Sequence, residues 1–359
     1  MRTSIDLSAA FDVVNIDLLL QRLRIVGLPV DVVALIEIWL RDRFFYVEIG
    51  DLNSVLHSIN SGTIQGSILG PILYAIYVAP LFDIADLSNF ADDNFILTFN
   101  EIKLHAKIEM ELKLKKITKW LTDSGLKVNE TKTEICHFYR NDTPPVEIKV
   151  NNVLIKSTDN MNVLGVIFDS KLTWSKHISN QISKSARALY AIKLIRKYFN
   201  KNEILTLLTS NFYSILFYNS EVWHIPNLKP TLKQMLLSAS ANALKLSQNR
   251  PDVYESFINI HKSCNRAQPE QLITYKHAIL LHKLYNNQQP QADWIDINVY
   301  QIFNPRRKHF KIMKNNTYLI GNNLLATRLS VLNDKVSLED LNLSLDSFKV
   351  KYKKTLLCV

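Results

Sequence analysis

The sequence predicts an α+β fold in its first part, an antiparallel sheet with helices packed on one face, followed by a mainly helical second part. Over the first 140 residues, short strand patterns occur between amphipathic helical ones. The dipeptide Pro144-Pro145 marks the best boundary. From His177 onward, apolar residues recur with helical period and strand patterns are no longer found.

The composition favours a globular protein with a polyanionic partner. The chain of 359 residues is long enough for two or three domains, and its 47% hydrophobic and 21% charged residues are typical of a folded protein. Its formal net charge is +10. Residues 1–140 contain 14 Lys and Arg against 18 Asp and Glu, whereas the remaining residues contain 29 against 15. This division fits carboxylate chemistry in front and phosphate binding behind, although lysines that only solvate helix surfaces would give the same totals.

Cysteine usage and the absence of targeting signals predict an intracellular protein, in the cytoplasm or nucleus. Cys136, Cys264 and Cys358 are an odd number without CxxC spacing, which predicts neither a disulfide framework nor a zinc site. The first residues lack the apolar core of a signal peptide. The most apolar run, residues 68–82, is too short to span a bilayer and contains two prolines, so we expect a buried core helix there. The sequence therefore indicates neither secretion nor membrane insertion.

The local patterns assign the elements in order. The first helix should stop at Gly27, and a long Lys- and Glu-rich helix should end near Gly125. A hairpin should turn at Asn151-Asn152. We predict helices at about residues 18–26, 32–40, 68–82 and 102–121, strands at about 3–7, 44–49, 135–139 and 163–168, and a hairpin at 146–155.

Two adjacent carboxylates, Asp92 and Asp93, lie between short apolar runs, as at the tight turn of a β-hairpin. Such a pair is most often only a solvated turn. A third carboxylate, Asp6, lies at the predicted end of a strand and favours a different interpretation. Nucleotidyl transfer uses two divalent ions about 3.5–4 Å apart, and Mg²⁺ prefers carboxylate oxygens. If the strands are neighbours, the three carboxylates can form such a site.

Three of the eight glycines, Gly62, Gly66 and Gly70, fall within nine residues. Glycine lets a backbone approach a ligand closely or adopt positive φ. With Gln65 among them and an apolar helix following, this segment can present backbone and side-chain amides to a nucleotide or a template strand. The same glycines would also occur if they only formed loop turns and allowed a close contact with a helix.

Five motifs in this order resemble the palm motifs, and the segment after the palm, of reverse transcriptases from non-LTR (LINE-type) retrotransposons. They are residues 6–12 (DLSAAFD), 62–71 (GTIQGSILGP), 90–93 (FADD), 125–133 (GLKVNETKT) and 164–169 (LGVIFD), the last followed by Leu172-Thr173-Trp174 and His177-Ile178. The similarity extends from the first residues to about Arg196. It implies a polymerase palm followed by a mainly helical thumb-like and C-terminal region.

The resemblance implies an RNA-directed DNA polymerase that performs two-metal nucleotidyl transfer onto a primer 3′-hydroxyl. Asp6 and Asp92 would bind both metal ions, with Asp93 beside them. The cofactor would be Mg²⁺, two ions, with Mn²⁺ as a substitute. The partners would be an RNA template with a DNA primer, and deoxynucleoside triphosphates. Nothing in the sequence specifies a protein partner.

The same resemblance assigns roles around the carboxylates. Phe11, five residues after Asp6, matches the aromatic side chain that blocks a ribose 2′-hydroxyl. Gln65 and Gly66 would touch the template and the incoming nucleotide. Lys132 would protonate the pyrophosphate leaving group, although a surface lysine after a turn would look the same.

The sequence departs from the family pattern at Ile64 and at the start of the chain. Ile64 stands where many relatives carry proline, which changes local stiffness more than chemistry. Because Met1 lies five residues before Asp6, we expect the fingers and endonuclease regions to be missing. A truncated, inactive remnant or a repurposed nucleic-acid-binding protein is therefore the alternative function. The expected division is a partial palm (1–143), post-palm hairpins with a thumb-like helix (144–199), and a basic, mostly helical region of unknown role (200–359).

Overall fold

The computed structural model describes residues 1–139, 144–225, 227–248, 256–286 and 335–357, together with Leu332. The chain forms two compact units. The first comprises Met1–Val163 and Phe168–Leu172, and the second comprises Leu164–Ile167 and the residues from Thr173 onward. The predicted division into three domains remains a prediction.

Strands and helices occur together in the first part of the chain. Their bounds are β1 (Arg2–Ile5), α1 (Ile16–Ile25), α2 (Val30–Arg41), β2 (Phe44–Phe45), β3 (Glu48–Ile49), β4 (Leu52–Asn53), β5 (His57–Ser58), α3 (Leu69–Val78), β6 (Leu87–Phe90), β7 (Asp93–Leu97), α4 (Lys103–Asp123), β8 (Glu134–Cys136), β9 (Glu147–Val150), β10 (Val153–Lys156), β11 (Asn160–Val163) and β12 (Val166–Asp169). A 3₁₀ turn, Ala79–Asp83, extends α3.

Within the residues that the structure describes, the second unit is helical after β12. Its helices are α5 (Ser175–Ile195), α6 (Lys201–Leu207), α7 (Ser214–Leu216), α8 (Ser220–Trp223), α9 (Pro230–Lys245), α10 (Phe257–Ser263), α11 (Pro269–Tyr285), α12 (Leu338–Leu341) and α13 (Leu345–Leu357). A π-helical segment, Leu208–Tyr213, joins α6 to α7. Among the described helices, none is long and apolar enough to cross a membrane.

The centre of the first unit is a four-stranded antiparallel sheet in the order β6-β7-β1-β8. Ile5, Ile96 and Ile135 are fully buried in the same core as the apolar residues of α1, α3 and α4. On the opposite face, Phe95 and Cys136 pack in a separate cluster with residues of β11. This arrangement confirms the predicted α+β class, with the helices on one face of an antiparallel sheet.

A buried arginine joins three helices of this unit. The guanidinium of Arg22 on α1 donates to the carbonyl of Tyr77 on α3 and, at 3.0 Å, to the hydroxyl of Ser124 at the end of α4. It also lies 4.4 Å from the ring centroid of Tyr77 and 5.1 Å from that of Trp120. Burial lowers the pKa of Arg22. Neutral dipoles and aromatic faces therefore solvate this cation, and no salt bridge to Arg22 occurs within the described residues.

Three predicted elements differ from the structure. The run 68–82 is not buried all round, because Ile68 is 89% and Ile72 is 53% exposed while the opposite face of α3 is buried. The predicted strand at 44–49 consists of two short strands that pair with different partners. The predicted strand at 163–168 is instead a hairpin, in which Leu164 and Gly165 form the turn between β11 and β12 with positive φ.

Candidate active site

Two of the predicted carboxylates are brought together by the register of the central sheet. β1 ends at Ile5, which pairs with Asn94 of the antiparallel strand β7. The next residue after β1, Asp6, therefore comes alongside Asp93, the first residue of β7. The sequence expectation required these strands to be neighbours, and they are.

The third carboxylate, Asp92, lies on the turn between β6 and β7. Phe90 pairs with Asp93, so Ala91 and Asp92 form a two-residue connection. Ala91 has a φ of 55°, a conformation that usually requires glycine in such a turn. A strained backbone position next to a group of carboxylates is typical of functional sites.

Two asparagines hold this turn in place. The side-chain amide of Asn89 donates to the carbonyl of Ala91 at 2.8 Å and to the side-chain oxygen of Asn94 at 3.0 Å. Asn94 is 1% exposed, and its own amide donates to the carbonyl of Asp92 at 3.0 Å. The sequence reasoning missed both residues; their positions flanking the carboxylate pair were the available signal.

The three carboxylates repel one another. The pKa of Asp93 is raised, first by burial and then by the negative charges of Asp92 and Asp6. No salt bridge to any of the three occurs in the described part of the chain. Carboxylate oxygens are the donors that a divalent cation prefers, so these residues fit a metal ion in charge and in chemistry.

These side chains do not form a closed protein cage for a metal. Within the described residues, no three His, Cys, Asp or Glu side chains are arranged as a complete metal-binding group. Mg²⁺ rarely needs such a cage, because it keeps several waters and is usually held by one or two carboxylates together with substrate phosphates. The residues present therefore fit Mg²⁺ sites that substrate would complete.

The segment that contains Lys132 adjoins the other side of Asp6. The amide of Asn129 donates to the carbonyl of Asp6 at 2.9 Å, and Leu7 forms a bridge with Val128. Lys132 follows on a turn in which its amide donates to the carbonyl of Asn129 at 3.2 Å. Its side chain is exposed, and its turn is joined to Asp6 through the backbone of Asn129.

The glycine-rich segment is docked on the turn that carries Phe11. The amide of Thr63 donates to the carbonyl of Phe11, and the amide of Gly62 donates to the carbonyl of Val14, each at 2.8 Å. A Cβ atom on Gly62 would lie 2.6 Å from the carbonyl oxygen of Asp12. The predicted close approach of backbone at these glycines is thus made to the chain itself at Gly62.

Gln65 and Gly66 lie at the solvent side of this junction. The side-chain amide of Gln65 donates to the carboxylate of Asp12 at 2.8 Å, a partner that the sequence did not indicate. Gly66 has a φ of 81°, and a Cβ added to it would meet no atom within 4 Å. This position therefore needs glycine for its conformation rather than for space.

Tyr74 on α3 completes the surroundings of Phe11. The two rings stack with centroids 4.4 Å apart and planes 29° from parallel. Tyr74 is 1% exposed, and its hydroxyl has no hydrogen-bond partner among the described residues. Burial raises the pKa of this hydroxyl, and the negative charge of Asp92 raises it further. The sequence reasoning counted Tyr74 only as core.

The second unit contains a basic groove of about 580 Å³. It is lined by Lys184 and Arg187 of α5, both exposed, and by Gln181 and Tyr218. The Tyr218 hydroxyl donates to the carbonyl of Leu164 at 3.1 Å. Among the described residues, no acidic side chain lines the groove, so the groove suits an anion such as a phosphate.

An antiparallel sheet with helices on one face, and with three carboxylates gathered at one end of its central strands, defines a nucleotidyltransferase domain of the palm type. Residues 1–168 match the profile of the family described as "Reverse transcriptase (RNA-dependent DNA polymerase)". The first 168 residues, just under half of the chain, are therefore similar to reverse transcriptase domains.

The curated relatives are polymerases of mobile elements. The chain is 26% identical over 162 residues to the RNA-directed DNA polymerase from mobile element jockey of Drosophila melanogaster, and the match covers 42% of this chain and 18% of the relative. It is 27% identical over 215 residues to the probable RNA-directed DNA polymerase from transposon BS of the same species, covering 56% and 23%. The chain thus spans about a fifth of the length of these relatives.

Solved structures with similarity to the chain include telomerases. Apo telomerase from Candida tropicalis is 15% identical, with a TM-score of 0.38, and the similarity covers 73% of this chain and 43% of the telomerase. The Candida albicans telomerase in complex with a fragment of telomeric RNA is 12% identical, with a TM-score of 0.34, covering 77% and 48%.

Proposed function

We propose that this chain is an RNA-directed DNA polymerase that extends a DNA primer on an RNA template. The observation that carries the proposal is the convergence of Asp6, Asp92 and Asp93 at one end of the sheet of a reverse transcriptase domain. Deoxynucleoside triphosphates would be its substrates.

Asp6 and Asp92 would hold two Mg²⁺ ions, or Mn²⁺ in their place, with Asp93 beside them. The bound ions would lower the pKa of the primer 3′-hydroxyl and neutralise the triphosphate. The protein's part is to keep the three carboxylates close together despite their mutual repulsion, and the Asn89 and Asn94 bonds to the turn serve this purpose.

Other residues would position the nucleotide. The half-buried ring of Phe11 would block a ribose 2′-hydroxyl, while Gln65 and Gly66 would contact the template and the incoming nucleotide. Lys132 is exposed on the turn that follows Asn129, whose amide bonds the Asp6 carbonyl, and it would protonate the leaving pyrophosphate.

The test is primer extension by the full chain on an RNA template, with Mg²⁺ and with Mn²⁺. We expect Asp92→Ala to reduce the rate at least about a hundredfold, because a direct metal ligand is lost. Asp86→Ala is the matched control, since Asp86 is a carboxylate just before β6 that lies outside the carboxylate group. Equal extension by wild type and Asp92→Ala would show that the site is assigned wrongly.

A second candidate function is nucleic-acid binding without catalysis. It is favoured by the 29 Lys and Arg against 15 Asp and Glu after residue 140 and by the basic groove beside Lys184 and Arg187. Filter binding of the same primer–template at two salt concentrations separates the two functions. Binding with a steep salt dependence but no extension would support the second.

We also propose an intracellular setting, in the cytoplasm or nucleus. Cys136 and Cys264 are buried free thiols, as is common in a reducing compartment. Cys358 lies outside the described residues.

A further inference from the structure

We propose that Tyr74 is a positioning residue that sets the sugar selectivity of the active site through Phe11. The inference rests on the proposed function, because it takes Phe11 as the side chain that meets the ribose. Selectivity would then depend on two stacked rings, one that contacts the sugar and one that supports it from the core.

The stacking geometry carries the inference. Tyr74 lies on α3 in the core and is 1% exposed, whereas Phe11 is only half-buried. With centroids 4.4 Å apart and planes 29° from parallel, the tyrosine covers one face of the phenylalanine ring. The remaining surface of Phe11 stays accessible to a ligand.

The backbone around Phe11 is held independently. Its carbonyl accepts from the amide of Thr63 at 2.8 Å, and the carbonyl of Asp12 accepts from the hydroxyl of Ser61 at 2.9 Å. With the backbone fixed, rotation of the Phe11 side chain is the main freedom left, and the Tyr74 ring restricts it. A steric barrier to one hydroxyl group works only if it does not yield, so the supporting ring matters as much as the contacting one.

The ring of Tyr74, and not its hydroxyl, would do this work. The hydroxyl makes no hydrogen bond to any described residue. Phenylalanine at this position should therefore preserve selectivity, whereas leucine should not, because a branched aliphatic side chain cannot stack on Phe11.

The experiment compares incorporation of a deoxynucleotide and the matching ribonucleotide by the full chain on an RNA template with a DNA primer. We expect Tyr74→Leu to lower the ratio of the two kcat/KM values by about tenfold or more, as expected for a changed steric contact. Tyr74→Phe should retain the wild-type ratio. Tyr77→Leu is the matched control, because Tyr77 is also fully buried on α3 but its ring faces the Arg22 guanidinium, while the ring stacked on Phe11 is that of Tyr74. This variant should cost at least as much folding free energy, because the Tyr77 hydroxyl donates to the carbonyl of Ser124, and it should leave the ratio unchanged.

Phe11→Val separates the inference from the function on which it rests. If Phe11→Val lowers the ratio and Tyr74→Leu does not, the role of Tyr74 is overturned while the polymerase stands. If Phe11→Val has no effect, the assignment of Phe11 is wrong and the inference fails with it. Competition of both nucleotides for the primer–template complex gives a readout without turnover, and a wild type with no preference in either assay overturns the inference.

Discussion

Several residues of the candidate site adopt states that cost folding free energy. Ala91 has a positive φ, which costs about 1–2 kcal/mol for a residue other than glycine. Burial raises the pKa of Asp93, and the like charges of Asp92 and Asp6 raise it further. Asn89 and Asn94 offset part of this cost by bonding the turn carbonyls. A turn with no function would need neither the strain nor the clustered charge.

His177 should make stability depend on pH. It is fully buried, its Nδ1 accepts from the amide of Ile167 at 3.2 Å, and burial, followed by the charge of Lys184, lowers its pKa from 6.5 to about 4. The unfolded chain then binds this proton more tightly than the folded one. The contribution of the neutral ring is therefore complete above pH 6.5 and is lost as pH falls from 6.5 to about 4.

The loss should amount to about 2–3 kcal/mol, measured as the free energy of unfolding in urea at pH 7 and pH 4. His177→Gln is the comparison, because it removes the titration and leaves other histidines unchanged. The variant should be less stable at pH 7 and should approach the wild type at pH 4. Curves that stay parallel over this range would contradict the prediction.

At the scale of elements, the docking of the glycine-rich segment on the Phe11 turn depends on Gly62. A Cβ atom added to Gly62 would lie 2.6 Å from the carbonyl oxygen of Asp12, and Gly62 itself has a φ of 82°. We expect Gly62→Ala to lower the free energy of unfolding by about 3 kcal/mol, from steric overlap and strained φ together. Urea denaturation measures the change.

Gly66→Ala is the natural control for this prediction. Gly66 has nearly the same φ, 81°, but no atom lies within 4 Å of an added Cβ. Its cost should therefore be only the conformational part, about 1–2 kcal/mol. Equal losses for the two variants would mean that backbone conformation alone, and not the close approach to Asp12, explains the glycine at position 62.

The sequence predicted correctly those helices and hairpins whose apolar period and turn residues lie within a short stretch of the chain. The long helix expected at 102–121 is α4 at Lys103–Asp123, and the hairpin turn expected at Asn151-Asn152 joins β9 to β10. The apolar pattern predicted one strand at 163–168 and missed the turn at 164–165, because an apolar run with one glycine does not reveal a tight turn. It also failed for α3, since hydrophobicity does not tell which face of a helix finds a partner.

The site was predictable to the extent that motif order reveals it. Asp6, Asp92 and Asp93 were singled out from their residue types and spacing, and the β1–β7 register sets Asp6 beside Asp93, with Asp92 on the adjoining turn. The contacts of Asp12 with Gln65 and of Tyr74 with Phe11 join residues more than 50 positions apart. Sequence periodicity holds no information about such pairs, which only tertiary packing determines.

At the scale of the whole molecule, charge distribution should control nucleic-acid affinity. Lys184 and Arg187 are exposed on α5 in the basic part of the chain. If both contact phosphates, replacing them with glutamine should weaken binding and reduce the slope of log affinity against log salt by about 1.5. Filter binding of a primer–template between low and moderate salt measures this slope.

The control replaces Arg24 and Lys115 with glutamine, since these are one exposed arginine and one exposed lysine from the acidic part of the chain. The same charge is removed from the whole molecule, but the slope should stay close to that of the wild type. A slope that changes equally in both variants would show that net charge, rather than this surface, determines the binding.

The neutral surroundings of the Arg22 guanidinium should make the stability of the first unit insensitive to salt. Its cationic group is surrounded by a carbonyl, a hydroxyl and two aromatic faces instead of a carboxylate. Mobile ions weaken attraction between opposite charges, yet they have little effect on contacts with neutral dipoles inside a protein. The junction of α1, α3 and α4 should therefore keep its strength in concentrated electrolyte, so that a polynucleotide can be released from the protein without melting the domain.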